Sequence, residues 1–295
     1  MSPASPTAAV ARTREARAAA ALAGNVLARE TLAGGALAAA APAGDVLARE
    51  TLAGGALEAA AHGGAGPAAR LRPVVTGQVV VIAKEPVPGR VKTRLTPPFS
   101  PRQAADLARA ALADTLAAAA AVPAAHPVVA LDGTAGPWLP AGVQVVPQRG
   151  GGLDERIAAA LEDAYRGLAV PVVLIGMDTP QVTPALLESA LRPLADGTAD
   201  AVFGPAADGG FWLLGLRRPD PSLVLGVPMS TEHTGVTQAA RLASAGLRIH
   251  WLPLLRDVDT AADAYAVARE APRTRFAATL TALPPSQAAV AHDHG

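Results

Sequence analysis

Residues Val79 to Ala83 form an apolar run with no polar residue alternating through it, and the run stops at Lys84. A strand without alternation is covered on both faces, which calls for a parallel sheet with helices above and below it. Pro171 to Gly176 (PVVLIG) makes the same demand again. Around these two runs, strand and helix patterns take turns. Ser100 followed by Pro101 predicts a capped helix to about Ala121, with Leu112, Leu116, Ala105, Ala108 and Ala119 on one side. Val128–Leu131 and Val143–Val146 read as short buried strands. A helix from Leu153 sets Ile157, Ala160, Leu161, Ala164 and Leu168 on its core face. Thr183 and Pro184 open another helix, Ala201–Gly204 and Phe211–Leu216 are strands, and Ser230 and Thr231 cap a segment leading into a helix to about Ser244. Leu247–Leu252 is the last strand, and Arg256 to Asp263 leads into a final helix. Such alternation predicts one three-layer α/β domain with a mainly parallel sheet.

The N-terminal quarter has a different character. Ala23 to Ala40 recurs as Ala43 to Ala60, differing only at Asn25/Asp45 and Ala38/Glu58. Two copies are too few for a solenoid, and each is interrupted by a glycine pair that disfavours helix by about 1 kcal/mol per residue. The expected organisation is therefore a duplicated, alanine-rich, low-complexity extension and linker over 1–75, a folded domain over 76–270, and a loosely packed tail over 271–295.

Composition excludes several classes. The 25 basic and 25 acidic residues balance, so neither a nucleic-acid footprint nor a basic membrane-binding surface is expected. With no cysteine, disulfides, thiolate metal sites and a cysteine nucleophile are ruled out. His233 has no second histidine at ligand spacing, which rules out a zinc site. No compact apolar export signal and no span of twenty strongly apolar residues is found, so the expectation is a soluble cytoplasmic protein.

The chemistry gathers in the loops after the strands. Pro86, Pro88 and Gly89 force a loop after the first apolar run, and this loop carries Lys84, Arg90, Lys92 and Arg94. Asp178 follows the PVVLIG strand, Asp208 the next, and Asp257 and Asp259 the last. Strand-end loops of a parallel sheet converge on one edge, where open α/β sheets bind phosphorylated ligands. Cations facing carboxylates suit a nucleotide with its Mg²⁺ (or Mn²⁺): the carboxylates bind the hard ion, which bridges phosphate oxygens, while Lys and Arg neutralise the rest. Taken singly, each signal has a plainer explanation. The loop can be a solvated basic turn, Asp178 a helix cap, Asp208 a turn former, Asp263 a first-turn acid and Ser230 a cap. Neither a Walker loop nor a GxGxxG fingerprint is present.

KEPVPGRVKTRL, SPRQAADLARAALADTL, IGMDTPQVTPALLESAL, GPAADGGFWLLGL, MSTEHT and DVDTAADA occur in that order. In this combination the sequence resembles, over about Gln78 to Ala268, a bacterial family of glycosyltransferase-A-fold (GT-A, nucleotide-diphospho-sugar transferase-like) transferases of unassigned function. These are the radical-SAM/selenodomain-associated transferases, relatives of phospholactate guanylyltransferase and molybdenum-cofactor guanylyltransferase. The resemblance implies that Lys84, Arg90, Lys92 and Arg94, with Gly89 in their loop, hold the nucleotide phosphates. It implies Asp178 as principal metal ligand with Asp257 or Asp259 as the second, and Gln148 to Arg156 near base and ribose. It further implies that Asp208, Gly209 and Gly210 form the floor near the acceptor; Ser230 and Thr231 are expected on that side. Two departures bear on base and acceptor choice: Asp154 stands where the family often has glycine, and Met229 where it often has tryptophan.

The expected function is a Mg²⁺-dependent nucleotidyltransferase that joins an NTP to a small phosphorylated acceptor, with Lys92 and Asp178 as the residues on which the chemistry turns. The number of cations favours this, because a triphosphate and an anionic acceptor need more neutralisation than a nucleotide sugar. Glycosyl transfer from a nucleotide sugar is the alternative, and a non-catalytic nucleotide-binding partner protein the second.

Overall fold

The structure is a computed structural model, and it describes residues 76–283. The repeat, the linker up to Pro73, and His292 and His294 lie outside the described residues. Seven strands form one sheet: β1 (Gly77–Lys84), β2 (Ala125–Asp132), β3 (Gln144–Pro147), β4 (Val172–Gly176), β5 (Ala201–Pro205), β6 (Phe211–Leu216) and β7 (Ile249–Trp251). Their order is β3-β2-β1-β4-β6-β5-β7. All neighbours run parallel except β6, which is antiparallel to both β4 and β5. The helices are α1 (Pro101–Ala120), α2 (Leu153–Leu168), α3 (Pro184–Ala195), α4 (Thr234–Ser244), α5 (Ala261–Glu270) and α6 (Arg275–Ala282). This is a three-layer α/β domain with a mainly parallel sheet.

β1 and β4 are central, as their unbroken apolar runs demand. Val81 pairs with Val129 on one side and Ile175 on the other. Strand residues alternate between faces. Val79, Val81, Val129, Val173 and Ile175 join Leu112 and Leu116 of α1 and Leu187, Leu191 and Leu194 of α3 in one core. α2 covers the other face, packing on β1 and β4. Gln78, buried in the sheet, donates through Nε2 to the Ala164 carbonyl at 2.5 Å and so ties β1 to α2.

Helix starts follow the sequence closely. Ser100 caps α1 in a reciprocal box with Gln103: Ser100 Oγ accepts from Gln103 N at 3.2 Å, and Gln103 Oε1 from Ser100 N at 2.8 Å. Thr260 and Asp263 form the same box on α5, and Thr183 caps α3. Each such cap contributes about 1 kcal/mol.

Four expectations need correction. Val143–Val146 is not a buried strand: the observed strand, Gln144–Pro147, is the sheet's edge and largely exposed, since no strand pairs with its outer side. Leu168, at the end of α2, is 49 % exposed because the helix has run past the sheet by its last turn. Ser230 and Thr231 do not cap α4 in the ordinary way. Its N-cap is His233, without a side-chain bond, while Ser230 adopts left-handed φ (58°) and Thr231 Oγ1 accepts from His233 N at 3.3 Å. Finally, residues 275–282 are firmly packed, with Phe276 fully buried. Asp114 on α1 accepts from the backbone N–H of Arg275 (3.0 Å) and Phe276 (2.8 Å), capping α6 from 161 and 162 residues away. A second core results: Leu95, Phe99, Ala104 and Leu107 join Val258, Ala264, Val267, Phe276 and Leu280. Among the described residues, no helix is long and apolar enough to cross a membrane.

Candidate functional site

From β1 the chain moves outward through β2 to β3, then returns to place β4 on the other side of β1. At such a reversal the loops leaving the two strands diverge and open a crevice at their carboxyl ends. Ile82 is level with Gly176, so Lys84 and the basic loop emerge beside Asp178. The Lys84 N–H donates to Met177 Sδ at 3.3 Å, fastening one loop to the other. Asp208 lies in the hairpin between β5 and β6, and Asp257 and Asp259 follow β7; parallel pairing of β5 with β7 brings both loops to the same edge.

Two connected hollows result. A cleft of about 560 Å³ is lined by Lys84, Gln148, Arg156, Asp178, Asp208, Gly210, Ser230, Thr231, Asp257 and Asp259, with apolar walls from Ile157, Phe211, Trp212 and Met229. A smaller hollow of about 320 Å³ is lined by Lys84, Arg90, Lys92, Arg94, Asp178 and Asp259. Lys84, Met177, Asp178 and Asp259 are common to both.

Lys92 crosses this junction. Its side chain is 10 % exposed, and Nζ lies 2.6 Å from Asp178 Oδ2 and 3.0 Å from Asp259 Oδ1. Burial alone would lower its pKa, but the charges of Asp178 and then Asp259 outweigh burial and hold the ammonium above its ordinary value. Arg94 Nη1 is 3.6 Å from the other oxygen of Asp259. Lys84 and Arg90 are exposed, and Gly89 provides the positive φ (77°) that turns the loop. The acidic side carries excess negative charge. Asp257, pressed by burial and by the charges of Asp178 and Asp208, is pushed up to about 7, with Lys92 pulling the other way. Asp178 Oδ1 and Asp257 Oδ1 are buried with no hydrogen-bond partner, as is Thr179 Oγ1. Backbone contacts fix the pieces: Val258 N donates to the Asp178 carbonyl at 3.0 Å.

These leftover oxygens fit a divalent cation. Among the described residues, no three acidic or imidazole side chains converge as a ready-made metal site. A hard ion that keeps water and phosphate ligands needs only one or two carboxylates from the protein.

The remaining expected residues are also at this edge. Gln148 is fully committed, donating to the carbonyls of Ala83 (2.8 Å) and Ala130 (2.9 Å). Arg156 pairs with Asp132 at 2.9 Å and reaches Gln148 Oε1 at 3.4 Å. Both residues line the cleft, but their polar groups shape its wall rather than stand free. Asp208 Oδ1 accepts from Gly210 N at 2.8 Å, the turn-former geometry. Gly209 backs onto the Glu232 backbone so closely that a Cβ would lie 2.1 Å from the Glu232 carbonyl oxygen, and its φ is +87°. Only glycine serves there. Sequence reasoning missed Asp132, Met177, Phe211 and Trp212. Asp132 and Met177 sit at strand ends on this edge, as the known candidates do. It also missed the function of Asp154, whose Oδ2 accepts from Gly226 N at 2.9 Å and holds the loop bearing Met229 and Ser230 against α2.

Residues 104–231 match a family described as uncharacterized proteins conserved in bacteria (DUF2064). The match takes in Asp178, Asp208 and Ser230 but stops short of the basic loop and of Asp257. No curated protein matches the sequence. A solved structure from Desulfovibrio desulfuricans G20, described as a nucleotide-diphospho-sugar transferase, superposes with a TM-score of 0.64 at 28 % identity, covering 70 % of this chain and 94 % of its own. Two solved structures are more distant. One is CMP:2-keto-3-deoxy-manno-octonic acid synthetase complexed with CTP (TM-score 0.45, 16 % identity, 67 % and 99 % covered). The other is 2-C-methyl-D-erythritol 4-phosphate cytidylyltransferase from Thermus thermophilus (TM-score 0.41, 18 % identity, 66 % and 98 % covered).

Proposed function

We propose that this chain is a cytoplasmic nucleotidyltransferase, dependent on Mg²⁺ or Mn²⁺, that transfers a nucleotidyl group from an NTP to a small phosphorylated acceptor. One observation carries the reading: a cationic hollow and a larger cleft share Asp178 and Asp259 as lining, and beside them the buried Oδ1 atoms of Asp178 and Asp257 lack partners. Phosphates in the smaller hollow would meet Lys84, Arg90, Lys92 and Arg94. The metal, when bound through Asp178 and one of Asp257 or Asp259, would neutralise charge on the phosphates. An acceptor phosphate oxygen then attacks the α-phosphorus, the bond to the bridging oxygen breaks, and pyrophosphate leaves. Positioning and charge neutralisation suffice for this, with no covalent nucleophile. The four cations of the basic loop support nucleotidyl over glycosyl transfer, because a triphosphate and an anionic acceptor need more neutralisation than a nucleotide sugar. The unit that acts begins near residue 76 and takes in the helix at 275–282, which completes the second core, with 1–75 as an extension, and no nucleic acid or membrane partner takes part.

Glycosyl transfer from a nucleotide sugar is the second reading, supported by the description of the Desulfovibrio relative. A thermal-shift screen of NTPs and nucleotide sugars, with and without Mg²⁺, tests both. A ligand that binds the folded state at 100 times its Kd adds about 2.7 kcal/mol of apparent stability. An NTP that stabilises only with Mg²⁺, and pyrophosphate release on adding phosphorylated acceptors, support the first reading. Stabilisation by a nucleotide sugar alone overturns it.

A further inference from the structure

β4 divides the larger cleft into two halves of different charge. The strand order sets β1 and β3, with Lys84 and Gln148 at their ends, on one side of β4 and the β5–β6 hairpin on the other. Lys84 and Arg156, the two cations that line the cleft, both belong to the first half. The walls of the second include Asp208, Phe211, Met229, Ser230 and Thr231 but, among the described residues, no Lys or Arg. Asp208 forms no ion pair among the described residues, and its carboxylate accepts one bond there, from Gly210 N at 2.8 Å. This half is also rigid. Gly235 N donates to the Gly209 carbonyl at 2.8 Å, which ties the hairpin to the segment after Met229. Thr234 Oγ1 accepts from Thr231 N at 3.1 Å and donates to the Pro228 carbonyl at 2.9 Å, so it brackets Ser230. That bracket holds Ser230 at φ 58°, a backbone that a residue with a side chain seldom adopts.

We propose that the second half takes the body of the acceptor, and that the acceptor is a phosphate monoester whose far end carries hydroxyl or ammonium donors and no second negative charge. This rests on the reading of the cleft as the place where an NTP meets a phosphorylated acceptor. The attacking phosphate stays near Lys84, at the boundary between the halves. Beyond that boundary, a carboxylate or a second phosphate would face Asp208 with no cation to neutralise it, and like charges so placed repel. A hydroxyl or ammonium would instead donate to the free acceptor sites of the Asp208 carboxylate. Ser230 offers a further hydroxyl, and Phe211 and Met229 give the carbon chain an apolar wall. Because the hairpin and the Ser230 segment are locked together, the surface cannot rearrange cheaply to suit an anionic body.

The test uses the full chain and three phosphate monoesters of similar size. Glycerol 3-phosphate ends in a hydroxyl, phosphoethanolamine in an ammonium, and 3-phosphoglycerate in a carboxylate. Their affinities are measured by ligand-observed NMR without NTP, and pyrophosphate release is then followed with each NTP and Mg²⁺. The hydroxyl and ammonium esters are expected to bind at least about tenfold more tightly than 3-phosphoglycerate. Asp208→Asn keeps an oxygen for Gly210 N and deletes the charge, so it should narrow that gap to about threefold by strengthening 3-phosphoglycerate. Met229→Lys supplies the missing cation and should favour 3-phosphoglycerate over phosphoethanolamine. It decides the matter independently if Asp208→Asn fails to fold. Equal or tighter binding of 3-phosphoglycerate by the wild-type chain overturns the proposal, and so does a gap that neither variant narrows. Binding of none of the three esters overturns it as well. If the esters bind in the expected order but no NTP yields pyrophosphate, the ligand class stands and nucleotidyl transfer fails. If 3-phosphoglycerate releases pyrophosphate as readily as the other two, transfer stands and the ligand class fails.

Discussion

The two edges of the sheet each carry a cluster of acids and bases, and the clusters are assembled on opposite principles. At the edge away from the cleft, Asp200 stands between Arg217 and Arg248, with contacts of 2.8 Å from each and a further bond of 3.1 Å from Arg248. One acid meets two bases, both oxygens are used, and the Arg248 bond chiefly holds the Asp200 carboxyl far below the usual carboxylate range. At the cleft edge, Asp178, Asp257 and Asp259 share Lys92 and a marginal Arg94, and two buried oxygens have no partner. The first cluster is complete and needs nothing more. The second is short of positive charge, and a ligand that brings cations, or a metal together with phosphates, relieves that shortage. Charge pairs that serve the fold can be closed among themselves, whereas those that serve a ligand stay open.

The sharpest way to break this contrast is Asp178→Asn. It keeps the shape and deletes the charge, so pyrophosphate release should fall by about 10²–10³. Melting temperature should hold, since Asn keeps the side chain's size and hydrogen-bonding reach. A fully active variant would make Asp178 as closed a group as Asp200. Next is Lys92→Ala, expected to cost about 10² in turnover. It should also lower stability by about 1–3 kcal/mol, because a buried charged partner is removed from two carboxylates. Urea unfolding beside initial rates separates the two effects.

The clusters should also give opposite pH slopes. The folded-state value of Asp257 is raised above its unfolded one, so the folded protein binds the extra proton between about pH 4 and 7 and loses stability as pH rises through that window, by about 2–4 kcal/mol. Asp257→Asn should flatten this limb and stabilise the chain at pH 8. Asp200 is depressed, so its contribution is present above about pH 4 and is lost as pH falls below it. Asp200→Asn should remove that acid limb, cost about 1 kcal/mol at neutral pH after solvent screening, and leave metal and nucleotide binding untouched. Melting curves from pH 3 to 9 measure both. The smallest effect is expected from a chain beginning at Gly77, which should match the full chain in melting temperature and nucleotide binding. Lost binding would bring residues 1–75 into the site.

Much of this architecture is legible from local chemistry. Unbroken apolar runs identify β1 and β4, and side-chain caps locate the starts of α1 and α3. Strand-end acids and bases mark the edge at which the candidate site lies. What escapes is decided over long distances. The reversed direction of β6 depends on its pairing with β4, not on its own residues. The packing of α6 depends on Asp114, which gives no sign in sequence of capping a helix more than 160 residues away. In the site, Lys92 reads as a phosphate ligand from its loop, but its pairing with Asp178 and Asp259 depends on where two other loops end. Gln148 reads as a polar residue beside a flexible loop, and only the sheet's geometry reveals that two carbonyls occupy it.

The second core has a mechanical consequence for the site above it. Leu95 closes the basic loop one residue after Arg94, and Val258 sits between Asp257 and Asp259; both are buried in the cluster that Phe276 and Leu280 complete. The two charged halves of the junction therefore share one foundation, laid by the last described helix of the chain. If that helix lifts away in a local opening, Lys92 and Asp259 lose their footing together while the sheet stays intact. The readiness of the site is then governed by a partial unfolding equilibrium at the far end of the chain, and amide exchange in residues 275–282 should keep time with exchange at Leu95 and Val258.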